Sequence, residues 1–139
     1  MQESSDCSIC DHLLGGPPLA IKEFPLSTLI LNGDQTIEGY CILESKRHVT
    51  EVYELGVEDR QTLMDELARC AKALKHVFHA DKINYVFMGN TVPHMHWHLI
   101  PRHVTDPFWP ESYWSKPHAP KRLSQAECDR IIQAIRAGF

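Results

Sequence analysis

Apolar positions first occur in short runs and then, from residue 57 to 79, at helical spacing. Residues 19–23, 27–32 and 39–44 are rich in Ile, Leu or aromatic side chains and bounded by turn formers, which predicts three strands. Pro25, Gly33-Asp34 and Gly39 mark the breaks. Residues 32–35 have the composition of a hairpin loop, so these strands should pair antiparallel as a meander. Leu63, Met64, Leu67, Cys70, Ala71, Leu74, Val77 and Phe78 then recur at spacings of three and four, the signature of one long amphipathic helix. Glu58, Asp59, Arg60, Asp65, Glu66 and Arg69 are expected on its wet face, with Lys75, His76 and His79 also at the surface. Residues 83–88 and 94–101 read as fourth and fifth strands. Ser124-Gln125-Ala126-Glu127 is a capping box ahead of Ile131, Ile132 and Ile135, with Gly138 closing a last helix. The expected class is α+β: a five-stranded antiparallel sheet with one long helix packed on a face and a C-terminal helix.

The fifth strand carries the chemistry. His94, His96 and His98 alternate with Met95, Trp97 and Leu99, so one face should present three imidazoles while the other packs into the core. Alternate Cα atoms on a strand lie ~6.6 Å apart and the outer pair about 13 Å apart. A zinc ion takes nitrogen ligands at ~2.0–2.1 Å, so the three rings cannot close on one metal. Their roles must be divided. A neutral imidazole serves as nucleophile, proton carrier or anion partner, and phosphoryl chemistry uses all three.

At 139 residues the chain has the size of a single domain, divided into an arm of about residues 1–18, a core of about 19–105 and a C-terminal loop and helix of about 106–139. With 43% hydrophobic and 23% charged residues it has the composition of a folded globule rather than a disordered chain. A net charge of -4 argues against a nucleic acid polymer as the main ligand. A small anion needs only local donors, for which Arg102, foremost, and His103, Lys116, Lys121 and Arg122 are candidates. Residues 1–6 are polar with no apolar run after them, so no secretory signal or membrane span is expected and the protein is placed in the cytoplasm. Gly15-Gly16-Pro17-Pro18 reads as a loop, because it lacks the Gly-Lys-Ser/Thr of a phosphate cradle.

Five scattered cysteines suit a reducing compartment, and Cys41 and Cys70 read as small core residues. The two-residue gap between Cys7 and Cys10 lets both sulfurs reach one zinc ion, which makes the pair half of a metal site. An empty, reduced pair is the alternative. A redox role is disfavoured, since no helix pattern starts directly at Cys7 to lower its pKa.

The run His94-Met95-His96-Trp97-His98-Leu99-Ile100 resembles the His, apolar, His, apolar, His, apolar, apolar pattern of the histidine-triad nucleotide hydrolases and transferases. Gly89-Asn90-Thr91-Val92-Pro93 before it and Pro101-Arg102 after it are similar to bacterial diadenosine tetraphosphate hydrolase-like members, and the resemblance spans residues 7–114. It implies a hydrolase or transferase acting at the α-phosphate of adenosine polyphosphates or phosphoramidates, with a nucleotidyl-histidine intermediate on His96. The central imidazole is also the one flanked by two others, with His98 as phosphate and orientation partner. The same resemblance puts Asn90 and Thr91 at the phosphate or leaving group, Asn32 at the ribose, and Leu29 and Leu31 beside the base. It implies a structural zinc held by Cys7, Cys10, His48 and His94, no organic cofactor, and a two-fold homodimer.

Two departures bear on substrate preference: Gly89-Asn90-Thr91 replaces a longer Gly-containing turn, and Gly39-Tyr40 stands where many members have Gly-His. Tyr40 donates a hydrogen bond but carries no positive charge. The aromatic segment 106–114 either covers an active site or packs on the sheet. Two rival functions are a non-catalytic, zinc-stabilised nucleotide-binding module and a metalloenzyme with its ion at two triad histidines.

Overall fold

In the computed structural model, which describes residues 6–16 and 19–139, three strands form an antiparallel meander: β1 (Ala20–Glu23), β2 (Ser27–Leu31) and β3 (Cys41–Ser45). The helix α2 (Val57–Phe78) leads to β4 (Lys82–Val86), and β5 (His96–Arg102) then turns back between β3 and β4. The resulting order is β1-β2-β3-β5-β4. Because β5 is antiparallel to both neighbours, β3 and β4 run parallel and need a long crossover. The 22 residues of α2 supply it, spanning about 33 Å at 1.5 Å per residue. A last helix, α3 (Gln125–Ala137), follows the expected Ser124/Glu127 capping box and ends at Gly138.

Strand alternation sorts the sheet into two faces. Leu29, Leu31, Cys41, Leu43, Trp97 and Leu99 point to one of them, where Leu63, Leu67, Cys70, Ala71 and Leu74 of α2 and Ile131, Ile132 and Ile135 of α3 close the main core. Full burial of each such aliphatic side chain stabilises by about 1.5–3 kcal/mol. His96 and His98 lie on the opposite face, whose smaller apolar cluster comprises Ile37, Tyr40, Ile100, Phe108 and Tyr113.

Several expectations are corrected. Met64 is 59% exposed, whereas Glu66, expected to be wet, is buried and accepts hydrogen bonds from the Leu26 amide and the Ser27 hydroxyl. Glu66 is thereby a clamp on the β1–β2 turn. The β2–β3 connection is residues 32–40 rather than 32–35. Buried Gln35 organises it, donating to the Asn32 and Tyr40 carbonyls at 2.9 Å and accepting from the Gly39 amide. Gly39 adopts φ +89°, and a Cβ there would meet the Phe78 ring at 2.5 Å, so only glycine fits the step into β3.

A short helix, α1 (Ser8–Gly15), starts directly after Cys7, contrary to the expectation that none begins there. Cys7 is its N-cap, the Sγ accepting from the Cys10 amide at 3.4 Å. Gly16 closes it with positive φ. Of the expected Gly-Gly-Pro-Pro loop, Gly15 is thus helical, and Pro17 and Pro18 lie outside the described residues, as do residues 1–5, on which most of the targeting argument rests. No helix among the described residues is long and apolar enough to cross a membrane.

Candidate active site and metal cluster

The strand that bears the histidines begins one triad position later than its alternation suggests. His94 precedes β5 in a turn closed by its amide to the Val92 carbonyl at 2.8 Å, and its side chain is fully buried. The expected face of three imidazoles therefore contains two. His94 Nε2–H donates to the Ser45 carbonyl at 2.6 Å, which leaves Nδ1 as a lone pair. That atom lies 3.5 Å from Cys7 Sγ, 3.5 Å from Cys10 Sγ and 3.1 Å from His48 Nδ1. Cys10 Sγ and His48 Nδ1 are 3.2 Å apart, and all four donor atoms lie within 4.8 Å of one another. A tetrahedral ion with bonds of ~2.0–2.3 Å has donor–donor edges of about 3.3–3.8 Å, so this cluster has the size and the soft donor set of a zinc site. Burial lowers the His94 pKa below the ordinary histidine value against the pull of the Ser45 carbonyl, with His48, His96 and His12 adding to the depression. His94 is thereby kept neutral, as a metal ligand must be.

His96 and His98 follow on β5, their ring centroids 5.1 Å apart. His96 Nδ1–H donates to the His94 carbonyl at 2.6 Å, so its Nε2 carries the lone pair. His98 Nδ1 lies 2.6 Å from the Tyr40 hydroxyl. Burial, chiefly, raises the Tyr40 pKa and keeps the phenol protonated, and because His98 Nδ1 is the one hydrogen-bond partner of this buried hydroxyl among the described residues, the O–H is assigned as the donor and His98 as the Nε2–H tautomer. Burial first, and His96 second, push the His98 pKa down to about 4. His98 is a neutral hydrogen-bond donor at pH 7. Trp114, 44% exposed, presents its ring edge-to-face with His98 at 5.2 Å.

Residues 17–105, more than half of the chain, match the model of the HIT domain. The chain belongs to the HIT domain family. HIT proteins are in general nucleotide-binding hydrolases and transferases. Among solved structures, a histidine triad protein from Bradyrhizobium japonicum is 29% identical, with 91% of this chain and 93% of that one covered and a TM-score of 0.80. A histidine triad (HIT) protein from Sinorhizobium meliloti is 28% identical over 93% and 95% of the two chains, with a TM-score of 0.82. A zinc-bound histidine triad family protein from Mycobacterium smegmatis, at 22% identity, covers 95% of this chain and 94% of its own, with a TM-score of 0.68. No match was found among curated proteins.

Other expected residues of this HIT domain are placed as follows. Asn32 donates to the Asp34 carbonyl at 3.1 Å within its own loop. Asn90 and Thr91 are exposed on the turn before the triad. Leu29 and Leu31 face the main core, contrary to the expectation that they border a base; the β2 and β3 residues on the histidine face include Ile30 and Ile42. Arg102 is 1% exposed and committed to Asp106, at 2.7 and 3.0 Å, and to Asn84, at 2.8 Å, so it is not a phosphate donor. His103 donates to the Phe78 carbonyl at 2.9 Å and thereby satisfies the C-terminal end of α2. In the aromatic segment Phe108 and Tyr113 pack against the sheet, while Trp114 stays beside His98.

Sequence reasoning missed Glu44. It faces His96 directly across β3–β5, is 2% exposed, and hydrogen-bonds His12 Nε2 from α1. An acidic residue at the end of the apolar run Cys41-Ile42-Leu43 was its signal.

Proposed function

We propose that this HIT domain is a nucleotide hydrolase or nucleotidyl transferase acting at the α-phosphate of adenosine polyphosphates or phosphoramidates, of the diadenosine tetraphosphate hydrolase-like kind, with His96 as nucleophile. The observation that carries the reading is the 2.6 Å hydrogen bond from His96 Nδ1–H to the His94 carbonyl, which fixes the ring and aims the lone pair from Nε2. Nε2 bonds to the α-phosphorus as the bond to the leaving group breaks, the leaving group keeping the electron pair. The ring retains its Nδ1 proton and becomes positive. Water then attacks the phosphorus, the N–P bond returns its pair to Nε2, and the proton of the water passes to solvent. His98 donates from Nε2–H to a phosphate oxygen. Asn90 and Thr91, whose side chains hydrogen-bond no other described residue, are assigned to the leaving group, and Asn32 to the ribose. Release of AMP from diadenosine tetraphosphate or adenosine phosphoramidate tests the reading; tight binding of both without release would favour a non-catalytic module.

Tyr40 has a defined part in this scheme, because its O–H sets the His98 tautomer. Tyr40→Phe is expected to lower kcat roughly tenfold with little change in KM, in keeping with the loss of one polar group that supports the transition state rather than binding. Steady-state kinetics of the pure variant check this, and an unchanged kcat would remove Tyr40 from the scheme.

We assign the cluster of Cys7, Cys10, His48 and His94 to a structural zinc ion, a reading supported by the donor set and by the zinc-bound relative from Mycobacterium smegmatis. Bound there, zinc supplies charge for two thiolates and ties α1 to the turn that enters β5. No organic cofactor is needed. We also propose a two-fold homodimer, supported by the open edge of β4 and the exposed Tyr85 and Met88 beside it. Analytical ultracentrifugation should then read twice the 15.9 kDa chain mass, and a monomer at high concentration would exclude it.

A further inference from the structure

We infer that Glu44 is the electrostatic partner of His96, placing a negative charge beside the imidazole as attack on phosphorus makes the ring positive, and that His12 holds this carboxylate in position. The inference rests on the nucleotidyl-His96 reading above.

Three observations converge on it. Glu44 sits on a central strand at 2% exposure, where an acidic side chain is unfavourable without a partner, so it is not a solvated surface charge. Its register partner is His96, which puts the two side chains on one face with Cβ atoms about 4.5–5.5 Å apart. Its carboxylate hydrogen-bonds His12 Nε2, and the helix that carries His12 begins at Cys7 in the metal cluster. Burial, the largest cause, raises the Glu44 pKa above the ordinary carboxylate value, and the His12 hydrogen bond is the first of the contacts that oppose the rise.

The chemistry calls for such a group. His96 keeps its Nδ1 proton on the His94 carbonyl throughout, so the bond formed at Nε2 leaves a full positive charge on the ring with no proton to shed. A carbonyl offers only a partial charge against it, and His98 and Tyr40 are neutral. A fixed carboxylate on the adjacent strand stabilises the charge that appears in the transition state and is already in place before reaction. No proton moves to or from Glu44 in this role, and it acts through the nucleophile, as a positioning residue rather than by touching substrate.

The test is rapid-quench measurement of nucleotidyl-histidine formation in the zinc-loaded chain with diadenosine tetraphosphate as the probe. Glu44→Gln keeps the size of the side chain and an acceptor for His12 but removes the charge. It is expected to slow adduct formation roughly 10–100-fold with KM little changed. His12→Ala, which removes the donor that holds the Glu44 carboxylate, is expected to slow adduct formation about three- to tenfold, and a rate equal to wild type removes His12 from the inference. Should Glu44→Gln fail to fold, Glu44→Asp and Glu44→Asn form a size-matched pair in which only the aspartate retains charge, and the aspartate is expected to react faster. Wild-type adduct with an equal formation rate in Glu44→Gln, or equal rates in the Asp and Asn variants, overturns the inference and leaves His96 as nucleophile. Absence of any wild-type adduct overturns the His96 reading itself.

Discussion

Replacement of His96 by Ala is expected to lower kcat for AMP release by roughly 10⁴-fold or more while leaving the fold in place. The size of the effect follows from what is removed. A covalent nucleophile splits one difficult displacement into two easier ones, and no neighbouring group can take over its geometry. His98 is the nearest imidazole, but the Tyr40 hydroxyl occupies its Nδ1, and its Nε2 carries the proton, so it offers no lone pair toward phosphorus. Replacement of His94 would not separate chemistry from folding, because that ring belongs to the buried cluster. His96 is the cleaner test: its removal leaves the Cys7, Cys10, His48 and His94 donors untouched. Substrate turnover and circular dichroism of the variant check both halves of the expectation. Wild-type turnover by a folded His96→Ala protein would eliminate the proposed nucleophile.

Removal of zinc is expected to act differently, on stability first. A metal-free preparation, or a Cys10→Ser variant, should lose the tie between α1 and the entry to β5, since Ile9 is the only buried residue in α1. The sheet and the α2–α3 core do not depend on the cluster, so the whole domain need not unfold. A loss of about 2–4 kcal/mol, well below the ~10–16 kcal/mol of isolated zinc fingers, is expected. For a domain of this size that corresponds to a fall in Tm of roughly 5–15 °C. Elemental analysis should find one zinc per chain in the native protein. Turnover should weaken but persist above that of His96→Ala, because attack by His96 is not routed through the metal. Complete loss of turnover on chelation, restored by zinc with no change in Tm, would instead support a metalloenzyme.

The parts of the fold that were legible in the sequence are those in which one periodicity governs the whole element. Trp97 and Leu99 alternate with His96 and His98 because both faces of β5 are committed along its length. His94 broke the pattern because Pro93 and the Val92–His94 turn precede the strand, and alternation counted beyond a strand's end no longer reports a face. In α2 the same kind of reasoning misassigned two residues that the spacing itself could have placed. Glu66 lies three after Leu63 and four before Cys70, on the buried stripe, whereas Met64 lies off it. Residue chemistry outweighed position there. The helix α1 was hidden for another reason: a thiol caps it in place of the usual hydroxyl or carboxylate, and two turns burying one residue leave almost no periodic signal.

The candidate site shows the same division. The family pattern in residues 94–100 and the Cys7–Cys10 spacing are local, and both could be read directly. Glu44, His12, Tyr40 and Trp114 come to the histidines from β3, α1, the β2–β3 loop and the loop after β5, so their convergence depends on strand order and register. Arg102 was misread because its ion pair with Asp106, one helical turn's worth of sequence away, cannot be told from a free cation by composition.

The most direct measurement is to mix the protein with diadenosine tetraphosphate, quench within the first turnover and locate any adenylyl adduct by peptide mass spectrometry. Adenylylation confined to His96 is the predicted result. An adduct on another residue, or AMP release through the first turnover with no adduct at all, would contradict the account.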